Sequence, residues 1–125
     1  MSRRTERVNF TLKRELGALI ENEISDPRLA PVTSVTRVEC AADLSVARVY
    51  ISALGSEAAQ SSSLEALKSA SGYLRRALAG RLRMRHVPRI EFRADDALRE
   101  GARLLKVIDE VAESDRQAAE GRGGQ

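Results

Sequence analysis

The sequence of 125 residues contains no tryptophan, 3% aromatic residues, one cysteine and one histidine. Sequence-tolerant single-strand binders usually present several stacking rings, so an aromatic platform is not the expected mode of binding. A lone Cys40 cannot form an internal disulfide, which fits a reducing compartment. His86 has no second histidine or cysteine at ligand spacing, so we expect neither a metal nor a cofactor.

Long apolar stretches are also lacking. No segment approaches the roughly 20 apolar residues of a membrane span, and the charged start lacks the apolar run of a secretion signal. We therefore expect a cytoplasmic protein with no membrane partner. With 42% hydrophobic residues, the chain can build one compact core. The prediction is one domain over residues 1–112, followed by a tail over residues 113–125 whose composition predicts disorder.

Positive charge is concentrated in one part of the chain. Residues 68–93 contain eight basic residues and one acid, Glu91, whereas residues 94–125 contain five basic residues and eight acids. A purely solubilising surface mixes both signs, so the bias favours contact with a polyanion such as RNA. The predicted RNA-binding residues are Lys68, Arg75, Arg76, Arg81, Arg83 and Arg85. Additional contacts are predicted at Arg3, Arg4, Arg7 and Arg28, although the first three also fit a frayed terminus.

Periodicity predicts the first half of the fold. Apolar residues recur with helical spacing from Val8 to Ile24, with Thr5 as the expected N-cap and Asp26-Pro27 as the end. Residues 32–40 and 46–53 are rich in β-branched residues, and a short turn links them. They are predicted to form an antiparallel hairpin. Residues 55–63 are small and polar and predict a loop.

A second helix is predicted from Ser63 or Leu64, with an apolar arc of leucines beside an arc of basic residues. Gly72 lies within the basic arc, and glycine is unfavourable inside a helix. Ala70, Ser71 and Gly72 are therefore the predicted kink or boundary between two helices; close helix packing is the alternative explanation for the glycine. Pro88 precedes a third strand. The last helix, capped by Asp95 or Asp96, should place Leu98, Ala102, Leu105, Ile108 and Ala112 on one face.

The predicted fold is α+β, with helices packed on a three-stranded sheet. The predicted order of elements is helix, strand, strand, kinked helix pair, strand and helix. Type II KH domains share this order through the third strand. The chain resembles the bacterial ribosome-binding factor A family from about Arg4 to Ile108. The resemblance rests on Arg7-Val8, on residues 26–29, 35–38, 43–52 and 67–75, and on Leu82, Arg85, Pro88 and Phe92.

This resemblance implies a non-enzymatic assembly factor that binds the free 30S subunit and assists late maturation and processing of 16S rRNA, often in connection with growth in the cold. We expect the protein to be a monomer. It also implies an assembly GTPase as a candidate releasing partner. The Gly-x-x-Gly loop with which KH modules clamp a nucleic-acid backbone is replaced here by Ala70-Ser71-Gly72. The resemblance therefore does not imply KH-type reading of a single-stranded tetranucleotide.

Motifs of catalysis are not found. The sequence has no P-loop, no His-Glu-x-x-His, no Gly-x-Ser-x-Gly and no paired cysteine motif, so no catalytic residue is assigned and no enzyme is expected. A second class of function remains open, in which the chain is an adaptor whose basic helix binds an acidic partner protein. Sedimentation of cell lysate separates the two, because only the assembly factor should migrate with free small subunits.

Overall fold

The computed structural model describes the backbone of residues 2–123 and the side chains of residues 2–96 and 104–117. Its elements are α1 (Arg3–Glu23), β1 (Thr33–Cys40), β2 (Val46–Ala53), α2 (Glu57–Arg81), β3 (Arg89–Ala94) and α3 (Ala97–Gly123). They form two compact units, Met1–Asp95 and Asp96–Gln125. The second unit consists of α3 with the residues on either side of it. One domain over residues 1–112 stays a prediction.

The three strands form a mixed sheet in the order β1-β2-β3. β1 and β2 pair antiparallel, as predicted for a hairpin, with an irregularity in register between Val35 and Arg37. β3 pairs parallel to β2, because the α2 crossover returns the chain to the end of the sheet where β2 began. The α+β class and the order of a type II KH domain through β3 are confirmed.

One face of this sheet holds the core. Along β2, Ala47, Val49 and Ile51 are buried while Arg48 between them is exposed. Helices α1 and α2 cover the buried face, and their predicted apolar arcs are confirmed. The buried members of these arcs are Leu12, Leu16, Leu19, Ile20, Leu67, Leu74 and Leu78. The opposite face of the helices carries mostly polar and charged side chains, together with the exposed rings of Phe10 and Tyr73.

The predicted starts of α1 and α2 were wrong, because in each case a serine further upstream caps the helix. Ser2, rather than Thr5, caps α1, and its Oγ accepts a hydrogen bond from the backbone N–H of Thr5 at 3.1 Å. Likewise Ser56 caps α2 by accepting from the N–H of Ala59, so the helix begins well before Ser63. Residues 57–63 look like a loop in sequence because serine favours turns, but they form the first turns of α2, and Ser63 is buried there. Ser63 accepts a hydrogen bond from the N–H of Ala30 at 2.9 Å.

The α2 helix is continuous through Ala70, Ser71 and Gly72, so the expected boundary between two helices is absent. Gly72 has helical backbone geometry, since positive φ among the described glycines occurs only at Gly55. The Ser71 hydroxyl donates to the carbonyl of Lys68 at 2.8 Å, which satisfies this hydroxyl within the helix. Propensity alone predicted a break here, but the apolar residues on both sides of Gly72 bury against one sheet and hold one helix.

The second unit contains α3, which extends to Gly123. Residues 113–123 are therefore helical in the structure, where composition predicted a disordered tail; residues 124–125 lie outside the described part. Leu105 and Ile108, from the predicted apolar face, are 64% and 52% exposed. The side chains of Leu98 and Ala102, from the same face, lie outside the described residues.

Candidate nucleic-acid interface

The outer face of α2 carries exposed cations around an exposed glycine. Lys68, Gly72 and Arg76 follow each other at intervals of four residues, so they lie along one side of the helix, away from the buried leucines. A Cβ added at Gly72 would lie 3.5 Å from Arg76 Nη1, which places that guanidinium directly beside the bare backbone. This part of α2 therefore offers positive charge beside a stretch of helix backbone that no side chain of its own residue covers.

Two of the predicted RNA-binding arginines are engaged within the protein. Arg75 donates from Nε and Nη2 to the carbonyl oxygen of Val87, at 3.2 and 2.9 Å, and so attaches the segment before β3 to α2. Arg81 bridges α2 to α1, with Nη1 3.2 Å from Glu15 Oε2 and Nη2 3.9 Å from Glu23 Oε1. Both guanidiniums are exposed but have lost part of their freedom to bind a phosphate.

Side-chain contacts between α1 and α2 show how the two helices run relative to each other. Arg81 near the end of α2 contacts Glu15, whereas Tyr73, two turns earlier, donates from its hydroxyl to Glu23 Oε2 at 3.2 Å. That carboxylate raises the pKa of Tyr73. The two helices are therefore antiparallel, and the start of α1 lies beside the end of α2.

This arrangement brings Arg4 close to Arg83 and Arg85. The three arginines line one groove of about 410 Å³ together with His86 and the turn between β1 and β2. Asp43 is the acid that lines this groove, and hydrogen bonds from the hydroxyl and N–H of Ser45 lower its pKa. Arg85 and His86 also line a second groove, of about 350 Å³, with Arg76.

We call Arg4, Lys68, Arg76, Arg83 and Arg85 the basic surface. Each is exposed, and within the described part of the chain none forms an ion pair or hydrogen bond through its side chain. These cations are thus available to phosphates at little internal cost. Their joint position is produced by the antiparallel helices and by the segment between α2 and β3.

The other arginines predicted to contact RNA differ in whether their guanidinium groups are free of internal partners. Arg3 and Arg7 are exposed on the first turns of α1. Arg28 is bound to Asp26, with Nη2 2.8 Å from Oδ2 and Nε 3.2 Å from Oδ1, and also donates from Nη2 to Ser69 Oγ at 3.2 Å. Hydrogen bonding to Arg28 lowers the pKa of Asp26. Arg28 therefore lies near Lys68, but a carboxylate already neutralises it.

Sequence reasoning missed two features of this region. The proximity of Arg4 to Arg83 and Arg85 depends on helix packing, and no local pattern could have indicated it. Phe10, by contrast, had a signal in the sequence: it lies off the apolar stripe of α1, and the ring is 66% exposed. The other phenylalanine, Phe92, is 4% exposed and belongs to the core.

Other classes of site find no support in the described residues. They contain no group of three or more His, Cys, Asp or Glu side chains placed to hold a metal ion. None of their helices is long and apolar enough to cross a membrane. Cys40 is half-buried, and burial raises the pKa of its thiol.

Comparison with known proteins gives consistent results. The family model described as "Ribosome-binding factor A" matches residues 4–108. A ribosome-binding factor A of Acetivibrio thermocellus is 42% identical over 109 residues, which cover 87% of this chain and 89% of that protein. The crystal structure of ribosome-binding factor A from Thermus thermophilus has 38% identity and a TM-score of 0.67, and the match covers 74% of this chain and 97% of that one.

A Thermus thermophilus ribosome-binding factor A fitted into a cryo-EM map of its complex with the 30S subunit is 39% identical. Its TM-score is 0.59, and the match covers 70% of this chain and 91% of that one. The fold, the extent of the family match and the level of identity agree along most of the sequence. The chain belongs to the ribosome-binding factor A family.

Proposed function

We propose that this protein binds the free 30S ribosomal subunit and assists late maturation and processing of 16S rRNA, without catalysing a reaction. Family membership supports the class of function, and the Thermus thermophilus relative supports the 30S subunit as the partner. The observation that carries the proposal is the basic surface. Its five cations come from α1, α2 and the following segment; Arg4, Arg83 and Arg85 share one groove and Arg76 and Arg85 another, and all five lack internal partners among the described residues.

Such a surface suits structured RNA. Phosphates are closely spaced along a helix backbone, and Lys and Arg side chains that meet them release condensed counterions. Phosphate contacts position a protein without reading sequence, which fits a factor that holds a maturing region of rRNA in place. We place this activity in the cytoplasm and expect the protein to act as a monomer. Release by an assembly GTPase stays a prediction from the family resemblance.

Binding to 30S subunits at several salt concentrations tests the role of the basic surface. Each of Arg76→Ala, Arg83→Ala and Arg85→Ala should weaken binding and reduce the slope of log affinity against log salt by about one. Arg48→Ala is the matched control, because it removes the same charge from the sheet face opposite the helices. An unchanged slope in the triple variant would contradict RNA binding by this surface.

The cellular role requires a separate measurement. A deletion strain grown in the cold should accumulate unprocessed 16S rRNA precursor and free subunits, and the triple variant should fail to correct both defects. Normal rRNA ends and normal subunit ratios would instead favour the adaptor, in which the same cations bind an acidic protein. That alternative also predicts a small complex in lysate that sediments apart from the 30S subunit.

A further inference from the structure

The outer face of α1 presents a single exposed aromatic ring among arginines. Arg3, Arg7, Phe10 and Arg14 are separated by four, three and four residues, so they form one stripe along the helix. The Arg14 Cζ lies 5.9 Å from the centre of the Phe10 ring. The buried stripe of α1 faces the opposite way, so core packing does not explain why a phenylalanine occupies this position.

A shallow groove runs along the stripe. It has a volume of about 500 Å³ and is lined by Arg3, Glu6, Arg7, Phe10 and Thr11. Residues 3–14 contain five basic residues and one acid. An apolar peptide would require neighbouring apolar side chains, whereas the ring here is flanked by guanidiniums. A ligand that combines a flat π-face with negative charge on either side matches this chemistry, and an unpaired nucleotide has that combination.

The stripe also continues the basic surface. Arg4 is the neighbour of Arg3 and lies on the adjoining side of the same helix. It lines the other groove, the one of about 410 Å³ that also contains Arg83 and Arg85. RNA that contacts the basic surface therefore needs only to cross the first turns of α1 to reach Phe10. We propose that Phe10 stacks on an unpaired base of the bound small-subunit rRNA while Arg3, Arg7 and Arg14 contact the flanking phosphates.

The inference rests on the proposed function and adds a stacking contact to it. One stacked base contributes enough that Phe10→Ala should weaken binding to free 30S subunits by about 5- to 100-fold. Phe10→Leu should weaken binding similarly, because leucine keeps apolar area without a π-face. Phe10→Trp should retain at least wild-type affinity. Leu54→Ala is the control, since it shortens another highly exposed apolar side chain, 73% exposed, and should leave binding unchanged.

The same series on protein-free 16S rRNA separates RNA from protein partners. If Phe10→Leu binds as tightly as wild type, or if the Phe10→Ala defect disappears once ribosomal proteins are removed, the ring contacts a protein and the inference is wrong. Unchanged affinity for 30S subunits in Phe10→Ala would also overturn it. If Phe10→Ala binds normally while Arg83→Ala weakens binding, only the stacking contact fails. Failure of the wild-type protein to bind 30S subunits would refute the proposed function itself.

Discussion

Replacement of Gly72 by alanine should make the protein more stable and, at the same time, a weaker RNA binder. Gly72 has helical backbone geometry inside α2, where glycine is less favourable than alanine by about 1 kcal/mol. The added Cβ would meet Arg76 Nη1 at 3.5 Å, which is an ordinary van der Waals contact with the end of a flexible side chain. Nothing in the fold therefore offsets the gain in helix propensity.

The expected gain is about 0.5–1 kcal/mol, which corresponds to a rise of about 2–6 °C in the melting temperature of a domain of this size. Thermal unfolding followed by circular dichroism measures it. Gly80→Ala is the matched control, because Gly80 is exposed in the same helix and an added Cβ would have no neighbour within 4 Å. Both variants should be stabilised by similar amounts.

The two glycines should differ in binding. Gly72 lies between Lys68 and Arg76, where an added methyl group would keep a phosphate away from the helix backbone, and Gly80 is two turns further along. Gly72→Ala should therefore weaken binding to 30S subunits while Gly80→Ala does not. Equal binding by both variants would show that Gly72 has no role in close approach. A loss of stability in Gly72→Ala alone would refute the description of α2 as one regular helix at this position.

Three further predictions concern stability. Removal of residues 113–125 should leave the melting temperature within about 1 °C of wild type, because the described side chains over 113–117 are all exposed; a larger drop would show that the segment docks. Arg75→Ala should cost about 1–2 kcal/mol in denaturant unfolding by removing both hydrogen bonds to Val87, and an unchanged midpoint would contradict that role. Because Arg28 lowers the pKa of Asp26, the pair stabilises above the carboxyl's ordinary value of 3.8 and ceases to do so as pH falls through the lowered pKa. Asp26→Asn should accordingly lower the melting temperature at pH 7 and match wild type in strong acid, and a difference that persists there would contradict the assignment.

The helix and strand pattern was largely determined by the sequence. Spacing of apolar residues predicted β2 at residues 46–53 as observed, because alternation along a half-buried strand leaves little freedom in register. The same logic identified the buried arcs of α1 and α2. It misplaced the start of α2, since serine favours caps and turns locally and only the fold showed that Ser63 is buried and bonded to Ala30.

The availability of each cation, in contrast, was decided by the tertiary structure. In sequence, Arg75, Arg76 and Arg81 are alike, but Arg75 is bonded to Val87 and Arg81 to Glu15, and only Arg76 stays open. A charge count cannot separate them, because an ion pair between helices depends on packing between residues far apart in the chain. Packing also brings Arg4 beside Arg83 and leaves the Phe10 ring in solvent. The sequence by itself thus determined that a basic, KH-like domain would form, and tertiary packing decided which of its basic side chains are engaged within the protein and which stay open to solvent.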